Sequence, residues 1–172
     1  MSVKKLIICN PFRLQNLSKE VGLKLLENGL LLVTAESCTA GEIAGAIAKT
    51  SGSSAWLEGG FIVYSIAAKQ KYLGLGAELF EKYYVVSEEV AKAMALGAID
   101  KSVGANISVA ITGLANPGFS DRSDVPAGTI WIACWNNKTK KMVTSKLSLP
   151  YSRNTNRLIC VEEAIKLVLT NS

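Results

Sequence analysis

The 172-residue sequence predicts one α/β domain: a mixed, mostly parallel sheet flanked by helices and completed by a late antiparallel hairpin. Three observations support this. Strand-like apolar runs interleave with segments of helical period. The length suits a single domain with a well-buried core. Hydrophobic residues make up 49% of the chain against 19% charged, which argues against disorder over most of its length.

Residues 1–15 read as an N-terminal arm and 16–172 as the domain. Lys4-Lys5 before Leu6-Ile7-Ile8-Cys9 hints at a signal peptide, but the apolar run stops at Asn10-Pro11. That is short of the roughly 7–15 residues of such a segment, so a short strand or loose arm is expected, in a cytoplasmic protein. Asn16 to Asn28 has the period of an amphipathic helix, with Leu17, Val21 and Leu25 on one face and Asn28-Gly29 as its stop. Leu30 to Thr34 is a continuous apolar run, as in a strand buried on both faces. Ala35 to Thr39 reads as a turn, Gly41 to Lys49 as a tightly packed helix, and Gly52-Ser53-Ser54 as a loop. Phe61 to Tyr64 follows as a strand and Ala67 to Leu73 as a short helix.

Ser87 is suited to cap a helix running to about Lys101, with Glu88-Glu89 placing negative charge in its first turn. Ile107 to Thr112 is a third apolar strand. Gly113 to Gly128 is rich in Gly, Pro, Asn, Asp and Ser; loops of this length are uncommon and often functional. Thr129–Trp135 and Met142–Leu149 pair as a hairpin, and a helix from about Asn154 to Leu169 closes the domain.

Composition narrows the chemistry. There is no histidine, which removes Ser-His-Asp and Cys-His catalysis and His-ligated zinc. Cys9, Cys38, Cys134 and Cys160 lie far apart and form no CxxC pair, so reduced thiols are expected, with no metal and no cofactor. No stretch reaches the roughly 20 apolar residues of a membrane-spanning helix. The net charge of +5 suits an anionic ligand, but the basic residues are dispersed. Their one dense group, Lys138, Lys140 and Lys141 about Asn136-Asn137, reads as a solvated hairpin tip, so nucleic acid is not the expected partner.

Ligands in such folds bind beyond the carboxyl ends of the strands, and three segments qualify. Thr34 to Gly41 is a strand-turn-helix in which small hydroxyl residues and Gly41 would let an anion or oxyanion approach backbone N–H groups; equally, Ser37 or Thr39 would only cap the helix. Tyr64 to Lys69 follows the second strand. A lysine among apolar neighbours loses its charge readily, and neutral Lys69 would take the proton of a serine hydroxyl, with Tyr64 orienting the amine or relaying the proton. A solvated Lys69 is the alternative. The third is Thr112 to Gly118, closed by Pro126 to Thr129: a phosphate cradle or an ordinary surface excursion, with Arg153 and Arg157 as candidate guanidinium donors.

In order along the chain, TAESCTAG (34–41), GSSAWLEGGFIVYS (52–65), Lys69, VSEEVAKAMALGA (86–98), ITGLANPG (111–118) and PAGTIW (126–131) resemble the CinA C-terminal domain family, from about Leu17 to the last helix. Active members of that family are nicotinamide-mononucleotide amidohydrolases that recycle pyridine nucleotides. The resemblance implies Ser37 as nucleophile, Lys69 as its base and Tyr64 in support. It further implies substrate contacts from Glu36, Thr39, Gly41, Thr112, Gly113, Ala115, Asn116, Gly118 and Arg153, a small nucleotide as ligand, and a homodimer or higher homo-oligomer.

The chain also departs from the family pattern of TAESCTGG, YSN and TGxAGPxGG. Ala40 replaces a glycine, Ile66 the asparagine of YSN, and Asn116 the glycine before Pro117, with only Gly118 left of the following pair. Tyr84-Val85 replaces Gly-Ala before VSE. A Cβ where φ must be positive costs on the order of 1 kcal/mol. The sequence therefore implies an amidohydrolase fold whose activity on this substrate is weak or lost. The alternative is a wholly non-catalytic member serving binding or assembly.

Overall fold

In the computed structural model, which describes residues 11–118 and 124–172, the first helix, α1 (Pro11–Glu27), begins at Pro11 rather than Asn16. A proline has no N–H to lose at the first helical position, so residues 11–15 of the expected arm belong to the helix. Residues 1–10, with the Leu6–Cys9 run, lie outside the described residues, as do 119–123 of the long loop. Gly29, at φ +60°, ends α1. Its N–H donates to Leu26 O at 3.1 Å, and Leu30 N–H reaches Leu25 O at 2.7 Å.

This stop shifts the first strand. Leu30 N–H closes the helix and Leu31 N–H donates to Asn106 Oδ1 at 2.8 Å, so β1 runs Leu32–Glu36 and takes in Ala35 and Glu36, expected in a turn. α2 (Glu42–Ala48) and a 3-10 turn (Ser53–Ala55) lead to β2, Leu57–Ile62 instead of 61–64. Its Gly59-Gly60 pair hid it from the sequence reading. Gly60 lies against the Thr34 side chain of β1, where a Cβ has no room. Then come α3 (Ile66–Leu73), α4 (Ala77–Lys82) and α5 (Glu88–Lys101). The α4 helix was not expected: it is six residues long and Gly76 gives it no side-chain cap. Ser87 caps α5 as expected, accepting from Val90 N–H at 3.3 Å. β3 (Ile107–Gly113), β4 (Thr129–Asn136), β5 (Lys141–Ser148) and α6 (Arg153–Asn171) complete the domain.

The sheet order is β2-β1-β3-β4-β5. β1 pairs parallel with β2 and β3, while β3–β4 and β4–β5 are antiparallel. Four strands thus share one direction and β4 alone opposes them. β1 lies between β2 and β3, so the chain leaves it to one side and returns past it to the other. That reversal opens a crevice beyond its carboxyl end.

Alternate strand residues serve two cores. Leu32, Ile107, Val109, Ile111, Ile130 and Ile132 face α1, α2 and α6 with Val21, Leu25, Ile43, Ile47 and Ile165. Val33, Ala35, Ala110 and Ala133 face Val90, Ala91, Met94, Ala95 and Ala98 of α5. Small residues on both sides bring α5 close enough for Ser108 Oγ to donate to Ala95 O at 2.7 Å. At the opposite end of the sheet the hairpin tip is not merely solvated. Lys138 Nζ donates to Asn28 O at 3.0 Å and Gly29 O at 2.7 Å, capping the carboxyl end of α1. No helix among the described residues is long and apolar enough to cross a membrane.

Candidate active site

Between β1 and α2 the chain must reverse within residues 37–41, and it does so with two consecutive left-handed residues, Ala40 at φ +51° and Gly41 at φ +95°. The expected demand for positive φ at position 40 is real, and an alanine meets it. Ser37 N–H donates to Ile111 O at 3.2 Å, which fixes the serine at the end of the sheet, and Ala40 N–H closes the turn on Ser37 O at 3.1 Å.

Glu36 secures the same turn from within. Fully buried, its carboxylate accepts from Gly41 N–H (2.9 Å), Ile43 N–H (3.1 Å), Ala44 N–H (2.9 Å) and Thr34 Oγ1 (3.2 Å). This satisfies the free N–H groups at the start of α2 and sets a negative charge at the positive end of the helix. Glu36, expected as a substrate contact, thus caps α2 and does not line the cavity that contains Ser37 and Lys69. Thr39 and Gly41, expected in the same role, likewise do not line it. Thr39 is fully buried away from the cavity, and the N–H of Gly41 is taken by Glu36.

Lys69 arrives from the second strand crossing. Ser65 caps α3 by accepting from Ala68 N–H at 3.1 Å, and Lys69, in its first turn, points back towards the sheet. Its side chain is wholly buried. Nζ lies 3.0 Å from Ser37 Oγ, 2.8 Å from Val63 O and 3.3 Å from Tyr64 O. An ammonium satisfies all three acceptors. A neutral amine keeps two N–H bonds for the carbonyls and turns its lone pair on the serine hydroxyl. Burial lowers the Lys69 pKa to about 8, with the neighbouring Cys38 opposing the shift. The amine is thereby brought within reach of neutral pH.

These groups open into a cavity of about 220 Å³ lined also by Cys38, Tyr64, Val85, Val86, Thr112 to Asn116 and Arg153. Of the two tasks expected of Tyr64, the structure shows contact with the amine, made by its backbone carbonyl rather than its ring. The ring is 58% exposed at the mouth, where Oη accepts from Arg153 Nη2 at 2.8 Å. Thr112 donates its hydroxyl to Val85 O at 2.8 Å, joining two walls of the cavity. Gly113 follows because a Cβ there would run into Ile130. Asn116 Oδ1 accepts from Arg153 Nη1 at 3.2 Å. Gly118, at φ +76°, stands clear of the cavity, and Arg157 pairs instead with Glu42 at 2.7 Å and Thr39 O at 3.1 Å. Among the described residues no carboxylate side chain lines the cavity.

Two contributors escaped the sequence reading. Cys38 lies in the cavity wall beside Ser37. A hydrogen bond with Cys160, and behind it the charges of Arg153 and Lys69, lower its thiol pKa against the effect of burial, while that of Cys160 is raised. Asn156 is fully buried in α6. Its Nδ2 donates to Ala115 O (2.9 Å), Leu149 O (3.2 Å) and Tyr151 O (3.0 Å), pinning the loop after β3 to the start of that helix. An amide on the apolar face of the last helix was the signal available for it.

A buried serine touching a buried lysine in an open crevice, with no histidine in the chain, can transfer a proton from alcohol to amine and present an alkoxide to an electrophilic carbon. Comparison with known proteins bears on which carbon. The model of the CinA C-terminal domain matches residues 14–171. Nicotinamide-nucleotide amidohydrolase PncC of Enterobacter agglomerans is 40% identical over 146 residues, covering 85% of this chain and 87% of that protein. PncC of Escherichia coli is 43% identical over 121 residues, 70% of this chain and 72% of that one. The crystal structure of the competence/damage inducible protein CihA from Agrobacterium tumefaciens superposes with a TM-score of 0.86 at 33% identity, covering 92% of this chain and 96% of that one.

Proposed function

The chain belongs to the CinA C-terminal domain family, and on that footing we propose that it is an amidohydrolase releasing ammonia from the carboxamide of nicotinamide mononucleotide. The observation that carries this reading is the 3.0 Å contact between Lys69 Nζ and Ser37 Oγ inside the cavity. Similarity to proteins named nicotinamide-nucleotide amidohydrolase over most of the chain supports the choice of substrate.

The reaction follows from the two groups. Neutral Lys69 takes the hydroxyl proton of Ser37 as Oγ bonds to the carboxamide carbon. The tetrahedral intermediate collapses, the C–N bond breaks, and the Lys69 ammonium returns a proton to the departing nitrogen, which leaves as ammonia. A water molecule, deprotonated by the same amine, then cleaves the acyl ester to give nicotinic acid mononucleotide and free Ser37. Arg153 at the rim matches the phosphate of the nucleotide in charge and fork geometry.

The departures from the family pattern weigh less against activity than their number suggests. Ala40 tolerates positive φ outside the cavity wall, and Ile66 is exposed at the start of α3. Of these positions, among the described residues, only Val85 and Asn116 reach the cavity. The test is ammonia release from nicotinamide mononucleotide by the purified chain beside Ser37→Ala and Lys69→Ala. Activity confined to the parent is the expected result. An inactive parent at high enzyme concentration would favour a non-catalytic member instead.

A further inference from the structure

Arg153 is held from two sides at the cavity mouth. Nη1 donates to Asn116 Oδ1 at 3.2 Å and Nη2 to Tyr64 Oη at 2.8 Å. Asn116 comes from the loop after β3, Tyr64 from the segment after β2 and Arg153 from the first turn of α6. The three form an arch between the walls. All line the cavity containing Ser37 and Lys69. A guanidinium has five N–H groups, so the arch leaves Nε–H and one N–H on each terminal nitrogen for a ligand.

We infer that Asn116 is a positioning residue for specificity: it tethers Arg153 so that the cavity selects ligands bearing a phosphate monoester over the same ligands without one. The inference rests on the reading of this cavity as the substrate pocket. Three features carry it. A carboxamide oxygen holds the guanidinium without cancelling its charge, as a carboxylate at position 116 would. Among the described residues the cavity wall offers the anion no repelling carboxylate. A tethered arginine has already given up the rotamer freedom that a free one loses on binding, which is worth about three- to ten-fold in affinity. A glycine, as in the family pattern, has no side chain with which to do this.

Titration of the full chain with ribose 5-phosphate and with ribose, followed by NMR chemical shifts, tests the tether without requiring turnover. The parent is expected to prefer the phosphorylated sugar. Asn116→Gly should weaken ribose 5-phosphate about three- to ten-fold and leave ribose unchanged. Asn116→Asp should weaken it further, by pairing the guanidinium with a carboxylate. Asn116 is exposed, and an unchanged Tm would show that each variant is folded. Absence of a phosphate preference in the parent overturns the inference. So does a variant that keeps the parent's preference, or an Asn116→Gly protein that binds the phosphate more tightly and thus reveals the arch as a barrier. Failure to release ammonia with the phosphate preference intact would count against the amidohydrolase reading and leave the tether standing.

Discussion

Lys69 Nζ and Ser37 Oγ lie 3.0 Å apart, and the two carbonyls that share the amine, Val63 O and Tyr64 O, lie at the end of the neighbouring strand crossing. The nitrogen thus has a full set of partners whether or not it carries the third proton. Proton exchange with the serine requires no rearrangement of the protein.

The first expectation concerns pH. On the proposed reading the neutral amine is the competent base, so kcat/KM for ammonia release should rise with pH, reach half its plateau near the Lys69 pKa of about 8, and then level off. A profile that stays flat through that region would remove Lys69 from the role of base. The linked effect on stability has a definite sign. From about 8 to 10.5 the unfolded chain holds a proton on Lys69 that the folded chain has released. Unfolding free energy should therefore rise with pH over that window, on account of this residue. Denaturant titrations of the parent and Lys69→Met at both ends of the window isolate the contribution.

Removal of either member of the pair should lower turnover about 10²- to 10⁴-fold. The variants are expected to differ in stability. Ser37→Ala deletes one hydroxyl and should remain within about 1 kcal/mol of the parent. Lys69→Ala leaves Val63 O without its buried donor and opens a void, costing roughly 2–4 kcal/mol. Urea unfolding distinguishes these outcomes.

Ala40→Gly should stabilise the protein. Alanine at φ +51° bears a Cβ penalty of roughly 1–2 kcal/mol, offset in part by the greater unfolded-state freedom of glycine. A gain of about 0.5–1 kcal/mol corresponds to a rise in Tm of about 1–4 °C for a domain of this size. A fall in Tm by calorimetry would show that the turn does not strain the alanine.

Glu36→Gln should destabilise by about 1–3 kcal/mol. The amide nitrogen must face N–H groups that now point at a carboxylate oxygen, and the charge at the start of α2 is lost. Because Glu36 lies outside the cavity, the loss should appear in the unfolding free energy, with KM little changed in the folded fraction.

Periodicity identified the elements that are long or sharply capped. Ser87 with Glu88-Glu89 placed the start of α5 at the correct residue, since the capping chemistry is local. β2 was misplaced because Gly59-Gly60 imitates a loop, whereas those glycines answer to Thr34 on the adjacent strand, a contact absent from local sequence. Within the candidate site, residue chemistry and family motif pointed to Ser37, Lys69 and Arg153, which line one cavity, with Ser37 and Lys69 in contact. The placement of Glu36 and of the Tyr64 hydroxyl was not legible. A carboxylate beside a nucleophile looks the same in sequence whether it faces the ligand or the helix, and only the turn of the strand decides between them.

The arch and the Ser37–Lys69 pair meet at Tyr64, whose hydroxyl accepts from Arg153 and whose carbonyl accepts from Lys69. Elsewhere they draw on separate stretches of chain: Ser37 follows β1 and Lys69 lies in α3, whereas Asn116 is on the loop after β3 and Arg153 in the first turn of α6, which Asn156 joins. On the proposed reading, bond-breaking and ligand choice are therefore coupled through one residue and otherwise modular. On that reading, exchange of residues 112–118 and the start of α6 should alter which ligands are admitted, while Val63 O and Tyr64 O keep the amine on the alcohol.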